Sequence, residues 1–461
     1  MKRSILAAAA VLSLACGCSS ELCDAGELAS ALAAAHPGDT VTVGACRVTG
    51  SFTVPAGVSV VGQGPSTVLV ASADHTALLL TGGTPATRVA SLAVESAGGR
   101  LAIYGRGPGD ITLQDVSVTV TRGVGVGIEE TANVTLTRTT LRGPVTPENV
   151  AGVPRPPTPA TTGTHGLVLV RAGTATITDT SVRGFAIMGA ELVSTTTTWT
   201  RGDADANLST GIFVVGGSAT FESASLSSTL AGVVLTPPYG GVGADGARIV
   251  TRSTSISGNN GVGFLHAADV MAEHHDVTAS DNTQGGLWVQ NVAGFALDGA
   301  TSTLRGNGFA AIMLVRSPGV TISDASIEST RSVTRMIGAL GSVSVGDGVQ
   351  MLGSHAGTLI SGVRLVGNQR VGVLLDLEGG MLDSMPCSDV TVDGMGTSLG
   401  AVMQNGTSLP GWDTGITRAG ATLANDPAFS GMLGVAGVVT PTDLPRADAS
   451  GGIAGVVTPT D

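Results

Sequence analysis

The charged residues of this chain that can act together are Glu222, Arg252, Glu273 and Asp298. Each follows a short apolar strand, such as Ala219 to Phe221, Ile249 to Thr251, Val270 to Ala272 and Phe295 to Leu297. Aligning such strands on their inward apolar residues leaves the next residue pointing outward. That outward column reads Thr137, Thr178, Glu222, Arg252, Glu273, Asp298, Ser323, Ser361. If successive strands stack, Glu273 and Asp298 have backbones about 4.8 Å apart, and Glu222 and Glu273 about 9.6 Å apart across Arg252. Adjacent carboxylates repel, so one can keep its proton and act as an acid. Carboxyl pairs roughly 5 to 9.5 Å apart serve glycoside hydrolysis. Arg252 can neutralise a uronate, or act as the base of a lyase if strongly perturbed. Carboxylates from neighbouring strands can also hold calcium; no other cofactor is expected. The structural alternative is a salt-bridged ladder in which Arg252 offsets the like charges.

Glu273-His274-His275-Asp276 extends this column. The same register puts His274 at a solvated turn and Asp276 outward. It puts His275 in a column of small residues (Thr180, Ala224, Ala300, Ala325), as a semi-buried packing residue. Asp347 and His355 read as turn residues flanking another strand. No compact motif stands in the context its chemistry needs: there is no Gly-rich phosphate loop, no His-Glu-x-x-His and no zinc cysteine pair, and the string Gly396-Thr397-Ser398-Leu399-Gly400 is not followed by a helical pattern.

Positioning residues so far apart in sequence requires a repeat. Gly followed by a short aliphatic strand recurs at Gly166–Val170, Gly211–Val215, Gly261–Leu265, Gly286–Val289, Gly348–Leu352 and Gly372–Leu375, and as Ala311–Val315. A turn and a second alternating strand follow each, as in Val320-Thr321-Ile322-Ser323, and turns often carry Gly-Asn, as at 258–259, 306–307 and 367–368. Several spacings are roughly 21 to 30 residues, the range of a β-solenoid. Composition agrees. Gly numbers 68, aromatics are 3% and charged residues 13%, against about 25% charged in ordinary domains. Such a core must be built from small aliphatic side chains stacked many times. A propeller needs longer four-stranded repeats, and a membrane β-barrel needs aromatic girdles that 13 aromatic residues do not supply.

Residues 24–35 read as a short amphipathic helix with Asp24 as its cap and Leu28, Ala31 and Leu32 on its apolar side. His36-Pro37-Gly38-Asp39 then turns into an alternating strand, followed by Val54-Pro55-Ala56-Gly57-Val58 and Gly62-Gln63-Gly64. This series resembles the N-terminal cap and first coils of pectate-lyase-like proteins. The resemblance covers roughly residues 24 to 425, specific at the cap and diffuse over the repeats. It implies an all-β fold, a single-stranded right-handed parallel β-helix with a short capping α-helix, and contact with polysaccharide or cell-surface glycan. The family's enzymatic branches carry Asn-Thr-Asp, paired Asp, His-Gly, Arg-Ile-Lys or Asp-Pro-His-Asp motifs; apart from the dipeptide His165-Gly166 none of them occurs here. Lys2 is the only lysine, so lyase branches that depend on Lys are excluded and no catalytic residue is carried over.

The start of the chain resembles a bacterial lipoprotein signal. Lys2 and Arg3 are followed by an apolar stretch too short to span a membrane, then by Ala15-Cys16-Gly17-Cys18. Residues 1–17 are expected to be the leader and Cys18 the lipidated residue, with Cys16 as the alternative. An ordinary secretion signal is the other reading. Either exports the chain, to the outer membrane or cell surface, or else to the periplasm or medium. There a Cys23–Cys46 disulfide can persist, while Cys387 is expected to be a buried free thiol. A net charge of −12 removes any general attraction for nucleic acid or anionic membrane, so the membrane contact expected is the lipid alone. The β-helix is expected over 18–425. A Pro-rich loop interrupts it at 143–163, and Arg331 to Gly346 is a second insertion or an extra coil. Residues 426–461 form a duplicated low-complexity tail, either disordered or docked on the end of the solenoid.

The function expected is glycan binding or a surface scaffold or adhesin. The alternative is a divergent polysaccharide lyase or glycoside hydrolase using the Glu222, Arg252, Glu273, Asp298 patch.

Overall fold

The computed structural model describes residues 21–426, except 73, 99–100, 146–162, 209, 229–241, 260, 267–269, 338–340, 354–355, 383, 394–398 and 408. The expected leader, Cys16, Cys18, His355, the duplicated tail beyond 426 and most of the Pro-rich loop lie outside the described residues.

The chain winds into a right-handed parallel β-helix of about 13 turns. A regular coil carries three strands, each paired in parallel with its counterpart in the next coil. Sheet A is typified by Gly123–Glu129 on Gly163–Val170, sheet B by Asn133–Thr137 on Thr174–Thr178, and sheet C by Thr140–Arg142 on Ser181–Arg183. Alternation decides the faces: in Asn133–Thr137 the buried residues are Val134 and Leu136. The inward residues of all three sheets merge into one continuous core.

The corners follow from backbone sterics. Between sheets B and C one residue per coil adopts the left-handed region: Asp115, Arg138, Asp179, Arg201, Ser223, Ser253 and Asp276 have φ between 47° and 54°. Short polar side chains tolerate this conformation. The two arginines are each held by the aspartate one coil away, Arg138 on Asp115 at 2.6 Å and Arg201 on Asp179 at 2.9 Å. Between sheets C and A the turn carries a buried asparagine. Asn259 Nδ2 donates to Asn282 Oδ1 at 2.6 Å, and Asn282 Nδ2 to Asn307 Oδ1 at 2.9 Å. The bonded amides satisfy groups that water cannot reach. Just beyond stands a column of glycines. A Cβ on Gly263, Gly348 or Gly372 would come within 2.6, 2.6 or 2.5 Å of a carbonyl oxygen of the next coil.

The N-terminal end is closed as the sequence implies. Helix Ala25–Ala34 is capped by Asp24, which accepts from the Gly26 and Glu27 amides at 2.8 and 3.0 Å. Leu28 and Leu32 bury against the first coils, where a bare solenoid end would expose core and strand edges. Cys23 and Cys46 form the expected disulfide. Cys387 is a buried free thiol whose pKa burial pushes up to about 12.

One described segment leaves the regular coil at the corner between sheets C and A: a hairpin in which Val333–Ile337 pairs antiparallel with the first half of Gly341–Leu352. The stretch from Arg331 to Gly346 is therefore an arm on one coil rather than a coil of its own.

Candidate functional site

The sheet B register differs from the sequence alignment at one coil. Arg252 pairs with His275, not Glu273, and His275 pairs with Asp298. The column thus reads Thr137, Thr178, Thr200, Glu222, Arg252, His275, Asp298. It includes a Trp199–Thr200 coil that the sequence alignment skips. Glu273 faces outward as expected but stands one row away, beside Val250 and Ala296. A two-residue slip preserves the face and changes the neighbours, because the side-chain period is two.

The patch is a solvated ladder of ion pairs. Arg248 meets Glu273 at 2.8 Å, Arg252 meets Glu222 at 4.0 Å, and His275 Nδ1 meets Asp298 Oδ1 at 2.5 Å. His275 is partly exposed and reaches Glu273 at 4.0 Å, so it belongs to this ladder. His274, expected at a solvated turn, is fully buried. It occupies the inward row between Thr251 and Leu297. There Nδ1 lies 2.7 Å from Thr251 Oγ1 and Nε2 lies 2.9 Å from His266 Nε2. These polar partners let the core accept an imidazole. Burial lowers both pKa values, His266 to about 3 and His274 well below its usual range.

A second constellation lies on the outward face of sheet A. One outward column runs Leu79, Tyr104, Gly127, Val168, Glu191, Phe213 over successive coils. In most antiparallel and solvent-facing sheets an outward column is polar, yet Tyr104, Val168 and Phe213 are all buried. Polar groups are set among them. Tyr104 donates its phenol proton to Glu129 Oε1, and burial, then that carboxylate, push its pKa up. His165 Nε2 stands 3.7 Å from Glu191 Oε2, with side chains 18% and 21% exposed. Burial pushes His165 down to about 4 and Glu191 up. The imidazole is thus neutral near pH 7, while the carboxyl holds its proton more readily than a surface glutamate. Arg106 and Arg171 both grip Glu130 at the exposed edge, at 2.6 and 2.9 Å.

Asp347 stands in the corner column of sheet A that holds His165 in an earlier coil. It is fully buried in a strand rather than placed at a turn. Its carboxylate accepts from Arg370 Nε at 2.8 Å, from Gln350 Nε2 at 2.6 Å and from the Val371 amide at 3.2 Å. A carboxylate with this many donors can be buried where a turn residue could not.

The sequence signals for this face were faint. His165 directly follows the Pro-rich insertion. Glu191, in Gly189-Ala190-Glu191-Leu192, holds the place taken by Val168, Phe213, Leu265 and Trp288 in other coils. Tyr104 and Glu129 carried no pattern. Among the described residues no group of three or more His, Cys, Asp or Glu could hold a metal ion, and no helix is long and apolar enough to cross a membrane.

No protein-family model matches the chain, and no curated protein sequence matches it. Solved structures with a similar course of chain include tailspike protein 2 of Escherichia coli O157:H7 bacteriophage CAB120, at 14% identity and a TM-score of 0.38, covering 71% of this chain. The chain spans 38% of that tailspike's length. The A-module of Azotobacter vinelandii mannuronan C-5 epimerase AlgE4 is similar at 13% identity and TM-score 0.38, over 87% of this chain and 91% of the module. Pectate lyase Pel9A is similar at 13% identity and TM-score 0.28, over 75% of this chain and 69% of its own. Function has to be argued from the site, because one fold carries many activities.

Proposed function

We propose that this is an exported β-helix protein, lipid-anchored through Cys18, that binds a neutral or weakly charged glycan along the outer face of sheet A. The observation that carries the reading is the placement of Tyr104, Glu129, His165 and Glu191. These hydrogen-bonding groups sit half-buried among apolar side chains. Binding sites combine an apolar lining with a few placed polar groups. The face repeats every 4.8 Å or so along the axis, which suits a linear polymer of hydroxyl-bearing units. Tyr104 offers a ring, and Glu129 and Glu191 offer acceptors to hydroxyl donors. The Cys23–Cys46 disulfide supports an oxidising compartment.

The second reading is a divergent polysaccharide lyase or glycoside hydrolase. Glu191 favours it, since a carboxyl raised by burial suits general acid catalysis. On sheet B the enzyme would instead use Glu222, Arg252, Glu273 and Asp298. The test is to incubate the protein with neutral and uronic polysaccharides, with and without calcium. Retention of glycan and its chain length are then followed by size-exclusion chromatography. Co-elution with an intact glycan that is lost in Glu191→Gln supports binding at sheet A. Shortening lost in Glu191→Gln or in Glu273→Ala makes the protein an enzyme and says which face acts. No retention and no shortening across the panel sinks the glycan reading.

A further inference from the structure

Sheet B carries a second feature, nearer the N-terminal end than its ladder of ion pairs. One outward column reads Thr112, Thr135, Thr176, Thr198, Thr220 over five successive coils. Two residues further along each strand, Thr137, Thr178 and Thr200 form a second column. Two residues before the first column, Thr174 and Thr196 stand between Asn133 and Ser218 in a third. All these side chains are exposed or half-exposed. Strand propensity does not account for the concentration. Threonine suits any outward strand position, yet the first column continues as Val250, Glu273, Ala296, Thr321 and Leu359. The threonines are gathered on one stretch of one sheet.

The scaffold under them is regular. These strands pair without a register shift. Beneath the array the inward row Leu136, Ile177, Trp199 and Phe221 is fully buried, and a continuous side-chain ladder of this kind favours a flat stack. A β-branched side chain is stiff at χ1, so the hydroxyls and methyls repeat with the backbone. The repeats are about 4.8 Å from coil to coil and roughly 6.6 Å along a strand. Among the described residues, no hydrogen bond ties the hydroxyls of Thr135, Thr176 and Thr198, or of Thr137, Thr178 and Thr200, to the protein. Each is left for a partner from outside.

The chemistry of the face selects its partner. In the coils of Thr135, Thr176 and Thr198 all three columns are uncharged. The charges on the rim match each other, Asp115 with Arg138 and Asp179 with Arg201. Such a face has nothing to hold a salt mineral or a polyanion. None of these outward residues is aromatic, so it has no ring to stack on a sugar. It offers a two-dimensional net of hydroxyls with methyl groups between them. A partner that is itself a hydrogen-bonded lattice meets that net at every row, and the prism face of ordinary ice presents oxygen rows at nearly these two repeats. We propose that the threonine face of sheet B binds ice. Water held at each hydroxyl stands near a lattice position, so little ordering remains to be done when the face meets a crystal. The proposal is independent of the glycan reading, which concerns sheet A.

The test cools the full chain around a single ice crystal and follows the crystal's shape and growth below the melting point. Partition of the protein into a slowly advancing ice front is the second measurement. Thr198→Tyr and Thr176→Tyr place a bulky ring at the centre of the face, and Thr321→Tyr places one on the same sheet outside the array. The parent is expected to facet the crystal, to arrest its growth over a gap below the melting point, and to enter the ice. Both central variants are expected to lose all three properties with an unchanged urea midpoint, because the side chains replaced are exposed. Thr321→Tyr is expected to keep them. A parent that leaves crystals round and freely growing and is excluded from the front overturns the proposal. A folded central variant that still arrests growth overturns it as well, and either central variant is sufficient for that comparison. Equal loss in Thr321→Tyr would place the activity elsewhere and also overturn it.

Discussion

Acidification should unfold this protein from the coils that carry His266 and His274. Both imidazoles are inside the solenoid, 0% exposed, stacked with each other and ringed by Phe264 and Phe295. His266 is pushed down to about 3 by burial, whereas in an unfolded chain it titrates near 6.5. Between about pH 6.5 and 3 the unfolded chain binds a proton there that the folded chain does not. Stability therefore falls as pH falls through that window. From pH 7.5 to 5 the loss from His266 alone is about 2 kcal/mol, and it grows to roughly 5 kcal/mol by the time the folded pKa is passed. His274 adds to the loss in the same direction. Leucine is what the next coil places beside His274, at Leu297, so the comparison protein is the His266→Leu/His274→Leu double variant. Urea midpoints at pH 7.5, 6 and 5 would be measured for both proteins. Hydrogen exchange would be followed in the strands Val262–His266 and Met271–His275, because solenoid stability is a sum of local terms. His165, at about 4, contributes a similar background to both, so the difference isolates the core pair. Equal pH dependence in parent and variant would show that the pair is not held neutral, and the reasoning from burial would fail.

Three further outcomes follow from the packing. Gly372→Ala places a Cβ 2.5 Å from the Gly400 carbonyl oxygen and should cost about 1–3 kcal/mol, read as a lowered urea midpoint; an unchanged midpoint would mean the corner can relax. Asn282→Ala removes the bonds to Asn259, Asn307 and the Ile256 carbonyl and should cost about 2–4 kcal/mol, with fraying centred on those coils in hydrogen exchange. By contrast, Glu273→Ala breaks a half-exposed pair with Arg248 and a longer contact with His275 and should change stability by less than about 1 kcal/mol, so a large loss would show that the ladder is structural.

The alternation of small aliphatic residues and the recurrent glycines determined the solenoid from sequence alone. Period-two burial and a stacked core leave few other ways to hide so many valines and isoleucines with so few rings. The capping helix, the Cys23–Cys46 pair and the buried Cys387 were legible for the same reason, since each answers a local demand of chain ends or of sulfur chemistry. Register was only half legible. The faces of Glu222, Arg252, Glu273 and Asp298 followed from alternation, but which residue stands beside which depends on how each coil closes. Glu273 and His275 exchange places on a slip of two. His274 defeated the reading because a histidine looks like a surface residue until Thr251 and His266, one on a neighbouring coil, come within hydrogen-bond reach. The sheet A constellation was decided by tertiary structure alone. Tyr104 and Glu129 are 25 residues apart, on strands paired in neighbouring coils, and no local pattern marks them. Only stacking brings such residues within reach of each other, and only burial, a property of the whole fold, shifts the pKa values of His165 and Glu191 in opposite directions.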